Sequence, residues 1–528
     1  MDQQLAAITQ GTNFSNLDWG IVVVYLLISV AIGIIANRFI GNMSDYVVAG
    51  RGVRTALGIA TLTGTELGLV TVMYSAQKGF TGGFAAFHIA VVAGVVTFFV
   101  GATGFILAAL RRHQVLTIPE FYGKRFGPKT RILGGVILTF AGILNMGMFL
   151  KAGAMFIVGI TGLDPSGFAL EAIMVGLLAL VLFYTVLGGM VSVILTDYIQ
   201  FVVLAFGLLL TTFLALNQVG WETLVTVVQE QKGDAGFNPF KDETFGVEYV
   251  SWMAFVGLIG CCVWPTSVAR ALACDSESTV KKQFMFSSLS YTVRFIVPHF
   301  WGICAFVLIT QTAELSAVFL SSEAEAADSL YAMPVYLGRL LPIGIIGIIT
   351  AAMIAAFMST HDSYLLCWSS VMTNDVVVPM TGNTMPQKTQ ILWTRVWIVL
   401  FGAAVLYISM YLPLLEDLWD YMAATGAIYF TGAFALLVGG LYWKRASSTG
   451  ACLALLSGLL AFLSVGAVQQ KVFGLFVSDA EKIKGLMATF TGDRINLCVV
   501  VLALTAMVVG SLLFPDPPHE SDAEEATA

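Results

Sequence analysis

In the stretch 351–363, AAMIAAFMSTHDS, two hydroxyls, an imidazole, a carboxylate and a third hydroxyl follow one another inside an apolar helix pattern that starts near Leu341. On a helix Ala356, Ser359, Thr360 and Ser363 fall at i, i+3, i+4 and i+7, which is one face. Asp362 lies about 60° from Ser359 around the axis, at the edge of that face, and His361 points roughly the opposite way. Hydroxyls and a carboxylate on one side of a helix at membrane depth are hard oxygen ligands suited to a cation. The competing use of Ser359 and Thr360 is donation to the carbonyl four residues back, which needs no ion.

The elements that must position these groups are membrane helices. Of the 528 residues 58% are hydrophobic and 11% charged, against about 25% charged in soluble proteins. About thirteen apolar stretches of roughly 20 residues run from 18–37 to 493–514, and no soluble domain of useful size fits between them. Met1–Asp18 holds no Lys or Arg, so the first stretch reads as a retained span and not as a signal peptide. With the N-terminus outside, the cytoplasmic loops hold twice as many Lys and Arg as the outer loops, which favours that orientation and a cytoplasmic C-terminus. The seven cysteines are scattered without C-x-x-C spacing, and H-E-x-x-H, G-x-S-x-G and G-x-x-x-x-G-K patterns are absent. Disulfides, zinc, hydrolytic chemistry and ATP-driven transport are therefore poor readings, and the chain is read as a non-enzyme.

Two spans look interrupted. The second, GIATLTGTELGLVTVMYSAQKG, carries Gly64, Thr65 and Glu66 at its middle, and the seventh, VGLIGCCVWPTSVARAL, carries Gly257, Gly260 and Pro265. They stand five spans apart, the spacing of two inverted five-helix repeats whose unwound backbone binds ions at mid-membrane.

Six local patterns coincide with this layout: SDYVVAGRGV at 44–53, TIPEFYGKRFG at 117–127, LGGMVSVILTDYIQ at 187–200, PTSVARALA at 265–273, MPVYLGRLLPIGIIGIITAAMIAAFMST at 333–360 and YWKRASSTGA at 442–451. In this order and spacing, over about residues 18–465, the chain resembles the sodium:solute symporter family. The resemblance implies an all-α polytopic membrane protein with a LeuT-type 5+5 inverted-repeat core. Its parts would be a leading helix and linker in 1–54, repeats in 55–216 and 248–443 around an extracellular loop at 217–247, two trailing helices in 444–514, and an acidic tail at 515–528. It also implies a sodium site made of backbone carbonyls of Gly64, Leu67 and Ala356 and the hydroxyls of Ser359 and Thr360. Some relatives hold a second sodium, for which Asp197, Asp362 and Ser363 are the matching positions here; the bland alternative for Asp197 is a helix cap.

Glu66 at the break is the sharpest departure from the family pattern. A buried carboxylate there needs a cation: sodium, a proton, a cationic solute, or Lys151 of the fourth span. Snorkelling is the alternative for Lys151, and a snorkelling or water-facing structural role is the reading for Arg294 and His299 of the eighth span. Thr65, Phe87, His88, Trp264 and Thr266 complete the expected solute contacts, with the aromatic face beside carboxylates suiting an ammonium group by cation–π attraction; packing is the rival use of the Trp and His. The expected function is sodium-coupled import of a small organic solute by alternating access, across the plasma or inner membrane. A proton-coupled carrier of the same fold is the alternative, and a membrane sensor module a remoter one.

Overall fold

The computed structural model describes residues 7–36, 49–164, 168–242, 244–321 and 328–517, with side chains except at 29, 32–34, 36, 49, 184 and 187–201. Among these residues the chain is helical throughout, apart from one isolated parallel bridge between Val53 and Cys274. The helices that matter for the site are α1 (Asn16–Ala36), α2 (Thr55–Glu66), α3 (Leu69–Gly82), α4 (Phe87–Thr103), α5 (Pro128–Met146), α6 (Phe149–Thr161) and α7 (Ala169–Val219). They continue with α8 (Gly246–Val263), α9 (Pro265–Ala273), α10 (Glu277–Gln311), α11 (Ile345–Val371), α12 (Gln387–Tyr411), α13 (Leu418–Tyr442), α14 (Ser448–Gly458) and α15 (Gly492–Leu513).

Both expected interruptions are present. The first falls between α2 and α3, where Leu67 (φ −96, ψ 65) and Gly68 (φ −84, ψ 163) leave the helix. The second falls at Trp264 (φ −64, ψ 120), held extended by the proline that follows it. The Val53–Cys274 bridge ties the strand-like lead into α2 to the exit of α9, so the two broken spans are joined at one end.

The long α10 is the spine against which the first broken span is set. A Cβ at Gly302 would lie 1.9 Å from Ala76 O, and one at Gly79 2.0 Å from His299 O. Only glycines let the two backbones cross this closely, the small-residue packing that membrane helices use in place of a hydrophobic drive. On its other side α10 takes α4 through Gly94 at Thr292 and Gly101 at Met285. Residue numbers rise together along α2 and α10 but oppositely along α4 and α10, so the chain reverses at Gly83 (φ 62).

Nine helical stretches among the described residues are long and apolar enough to cross a bilayer, and Asn16–Ile28 and Ala169–Phe183 are shorter apolar helices. One of the nine, Leu69–Thr103, contains the reversal at Gly83 and so holds parts of two expected spans. The twelfth span bends by 84° between Ser464 and Gly466. The connections expected as loops hold helices of their own, Trp221–Lys232, Ala332–Leu340 and Ala480–Thr489 among them. The acidic tail beyond residue 517 lies outside the described residues.

Candidate sodium and solute site

The hydroxyl face of α11 is aimed at the first break. Its start is anchored by the fully buried Asp18 of α1, whose Oδ1 accepts from Gly344 N at 2.7 Å and Gly347 N at 3.0 Å. A carboxylate there caps the helix and meets the positive end of its dipole. About four turns on, Thr360 Oγ1 donates to Ala356 O at 2.9 Å and lies 3.4 Å from Thr65 O; Ser359 Oγ lies 3.4 Å from Ala356 O. The rival use of the two hydroxyls, back-bonding along their own helix, is thus present alongside their approach to the break. A Cβ at Gly68 would come within 2.2 Å of Thr360 Oγ1, so the break and α11 touch through a glycine.

The last carbonyls of a helix have no partner within it. At the end of α2, Thr63 O takes Leu67 N, and Glu66 O takes Arg294 Nη1 and Thr71 Oγ1. No described hydrogen bond from beyond the helix reaches Gly64 O or Leu67 O. Of the three carbonyls named as sodium ligands, the two at the break, Gly64 and Leu67, are therefore left over, next to two hydroxyls that keep free lone pairs.

Glu66 is neutralised by protein. Arg294 Nη1 of α10 donates to Glu66 Oε2 at 2.9 Å, and Ser267 Oγ and Thr266 Oγ1, in the first turn of α9, donate to Oε1 at 2.6 and 3.3 Å. The guanidinium lies over Tyr291, with its carbon 3.9 Å from the ring centroid, and Phe295 at 4.5 Å. This corrects two expectations. Arg294 does not snorkel: its side chain is 9% exposed and it is the partner sought for Glu66. Lys151 is not that partner, and it does not line the cavity that Glu66 lines. With its negative charge already met, Glu66 is not a free anion awaiting an ammonium group.

That cavity, about 140 Å³, lies between the two breaks. Its wall joins Glu66, Ser267 and Arg294 to Tyr74, Trp264, Tyr291, Tyr364, Trp419 and Phe430. Trp264 Nε1 donates to Tyr364 OH at 2.7 Å, so Trp264 offers its rings and not its donor. Phe87 and His88 fall outside this wall. Phe87 packs edge-on against Phe84 and His299, and His88 against Phe245 and Tyr249. Ile89, Ala93 and Thr97 face the cavity instead. His361 turns away from the site, as expected, onto Phe149 and Phe357.

Behind the break, the buried Arg270 of α9 donates to Thr65 Oγ1 at 2.6 Å and to Ser363 Oγ at 2.8 Å, and Ser363 Oγ reaches Asp362 Oδ1 at 3.2 Å. Thr65 is thereby a link between helices and not a cavity residue. Ser363, one of the positions marked for a second sodium, is thus held by the Arg270 guanidinium beside the Asp362 carboxylate. Asp197, the third member of that set, lies outside the described side chains. Sequence reasoning missed Arg270 and the pairing of Arg294 altogether; the signal available was two arginines at the depth of the breaks.

Two broken spans, a hydroxyl pair facing one of them and a cavity between them are the LeuT-type arrangement. A family model described as the sodium:solute symporter family matches residues 46–458. The chain belongs to the sodium:solute symporter family. Among relatives it is 25% identical to sodium/glucose cotransporter 4 of Danio rerio, over 93% of this chain and 78% of that protein. It is 23% identical to the sodium/glucose cotransporter of Vibrio parahaemolyticus, over 86% of each. It is also 23% identical to a sodium/proline symporter of Staphylococcus aureus, over 93% of this chain and 96% of that one. Among solved structures, a Na⁺-coupled sialic acid symporter in a substrate-bound outward-open state superposes with a TM-score of 0.75 at 18% identity, covering 95% of this chain and 99% of that one. The protein is a sodium-coupled symporter that crosses the membrane many times, and its relatives are transporters.

Proposed function

We propose that one Na⁺ binds between α11 and the first break, on the carbonyls of Gly64, Leu67 and Ala356 and the hydroxyls of Ser359 and Thr360, and drives import of a small organic solute bound in the adjoining cavity. The observation that carries this reading is the Gly68–Thr360 approach beside the two leftover carbonyls. Five neutral oxygens replace much of the hydration of a monovalent ion without trapping it. An ion bridging α2 and α11 stabilises whichever conformation holds them together, and its dissociation releases that conformation. One charge moving down 100 mV supplies about 2.3 kcal/mol before the concentration gradient is added. Residues 55–216 and 248–443 are the two repeats in this reading, the N-terminus is outside, the C-terminus is cytoplasmic, and the membrane is the plasma or inner membrane.

Proton coupling through Glu66 is the weaker reading, because Arg294 already balances that carboxylate. The deciding experiment is stabilisation of the purified protein by Na⁺ against equal K⁺. Ser359→Ala and Thr360→Ala should each raise the half-saturating Na⁺ concentration about tenfold or more. A Na⁺ response unchanged in both variants would sink the site.

A further inference from the structure

Two residues of the cavity wall, Arg294 and Asn145, each carry a buried polar atom that the protein does not satisfy. Arg294 spends Nη1 twice on Glu66, yet its Nε is buried without a hydrogen-bond partner, and the residue is only 8% exposed. Asn145, at the end of α5, is 1% exposed; its Nδ2 donates to Met422 O and to Thr425 Oγ1, both at 2.9 Å, while Oδ1 has no partner. The amide orientation follows from that network. Met422 O can only accept, and Thr425 Oγ1 gives its own proton to Tyr421 O at 2.7 Å, so Asn145 must present nitrogen to both and oxygen elsewhere. Buried polar groups are rarely left unpaired in native proteins, and an orphan donor and an orphan acceptor on two residues of one cavity wall mark the groups that a bound solute would supply.

We propose that the solute is a small carboxylate bearing a separate hydrogen-bond donor, its carboxylate read by the unused edge of Arg294 and its hydroxyl or amino group by Asn145 Oδ1. The proposal rests on the cavity being the solute site of the sodium-coupled carrier. The Nε–Nη2 edge of a guanidinium is a fork that matches a carboxylate bidentately, and Glu66 engages neither of those nitrogens. Charge agrees. Glu66 and Arg294 cancel, so a cation would enter a neutral aromatic cage with no free anion to meet it, whereas a hydroxy acid entering with one Na⁺ leaves the site neutral and a zwitterionic amino acid brings its own counter-charge. The volume, about 140 Å³, against roughly 300–1,000 Å³ for drug-sized ligand sites, suits a small solute. The aromatic walls then take an apolar body between its two polar ends.

The test is thermal stabilisation of the full-length purified protein in Na⁺ and in K⁺, with L-lactate, L-alanine, acetate, glucose and choline as probes. L-Lactate or L-alanine should stabilise in Na⁺, acetate about tenfold more weakly, and glucose and choline not at all. Arg294→Lys keeps a cation for Glu66 but lacks the fork, and should weaken the effective carboxylate about tenfold or more. Asn145→Leu should bring that carboxylate and acetate to similar affinity. Stabilisation by Na⁺ alone, retained in both variants, shows that they fold and keep the ion site. Stabilisation by glucose or choline in place of the carboxylates overturns the proposal. So does a carboxylate response that both variants leave intact, which would mean the two atoms hold only water, or no response to any carboxylate at saturating concentration. Loss of the Na⁺ response in the unmodified protein would instead count against the sodium site.

Discussion

Glu66 and Arg294, 228 residues apart in the chain, meet at 2.9 Å on the wall of the cavity between the two breaks. The carboxylate ends α2 where the helix breaks, and the guanidinium comes from the middle of α10. Each is the reason the other can be buried. Removing one partner of such a pair leaves an uncompensated charge, at a cost of about 3–5 kcal/mol. Glu66→Gln and Arg294→Gln should each lower thermal stability markedly, and the double variant should lose less than the sum of the two. Additive losses in that cycle would mean that the two side chains do not depend on one another.

Gly68→Ala should behave as a sodium-site variant although it removes no oxygen. Its φ of −84 suits any residue, so backbone strain is not the issue; the new methyl would stand 2.2 Å from Thr360 Oγ1. A β-branched side chain on a helix has few rotamers with which to retreat. The Na⁺ requirement should rise about as much as in Thr360→Ala. Adding Thr360→Ala to Gly68→Ala should recover thermal stability without recovering Na⁺ affinity, as read by stabilisation at increasing Na⁺.

Lys78 of α3 is completely buried and sits 2.9 Å from Asp417 and 2.8 Å from Asp420, at the start of α13. Tyr249 OH donates to the second oxygen of Asp420 at 3.0 Å. Lys78→Met leaves two carboxylates facing each other and should cost about 3–5 kcal/mol. Asp420→Asn leaves Lys78 with Asp417 and should cost clearly less. Equal melting temperatures for the two variants would show that the lysine does not hold these helices together.

Glu416, in the connection between α12 and α13, gives the fold a pH dependence. Burial, reinforced by Asp420 and Asp417 and opposed by the hydrogen bond from Gly466 N, pushes its carboxyl from 4.5 to about 7. The folded state therefore holds this proton more tightly than the unfolded state does. Its contribution to stability is complete below about pH 4.5 and is lost as pH rises through about 7. Between pH 5 and 8 the unmodified protein should lose more thermal stability than Glu416→Gln, and parallel pH curves for the two would refute the assignment.

Much of the carrier was legible along the chain because membrane helices declare themselves by composition and length. Lipid demands about 20 apolar residues per span, and proline and glycine clusters in the second and seventh spans announced both breaks. The hydroxyls of Ser359 and Thr360 were legible as one helical face, and His361 as lying off it, because the helical repeat alone sets those directions. The first break came only a residue or two beyond Gly64–Glu66, at Leu67–Gly68. What the tertiary structure alone decided is which charges meet. Depth in the membrane can be counted from the sequence, but the rotation of each span and its neighbours cannot, since they follow from packing contacts such as Gly79 on His299 and Gly302 on Ala76. Those contacts bring Arg294, and not Lys151, to Glu66, carry Arg270 to Ser363, and put Ile89 and Ala93 on the cavity wall in place of Phe87 and His88. The sequence by itself thus determined the kind of machine and the residue types at its breaks. Packing determined that the carboxylate at the break is paired within the protein, and so what charge is left for the cargo.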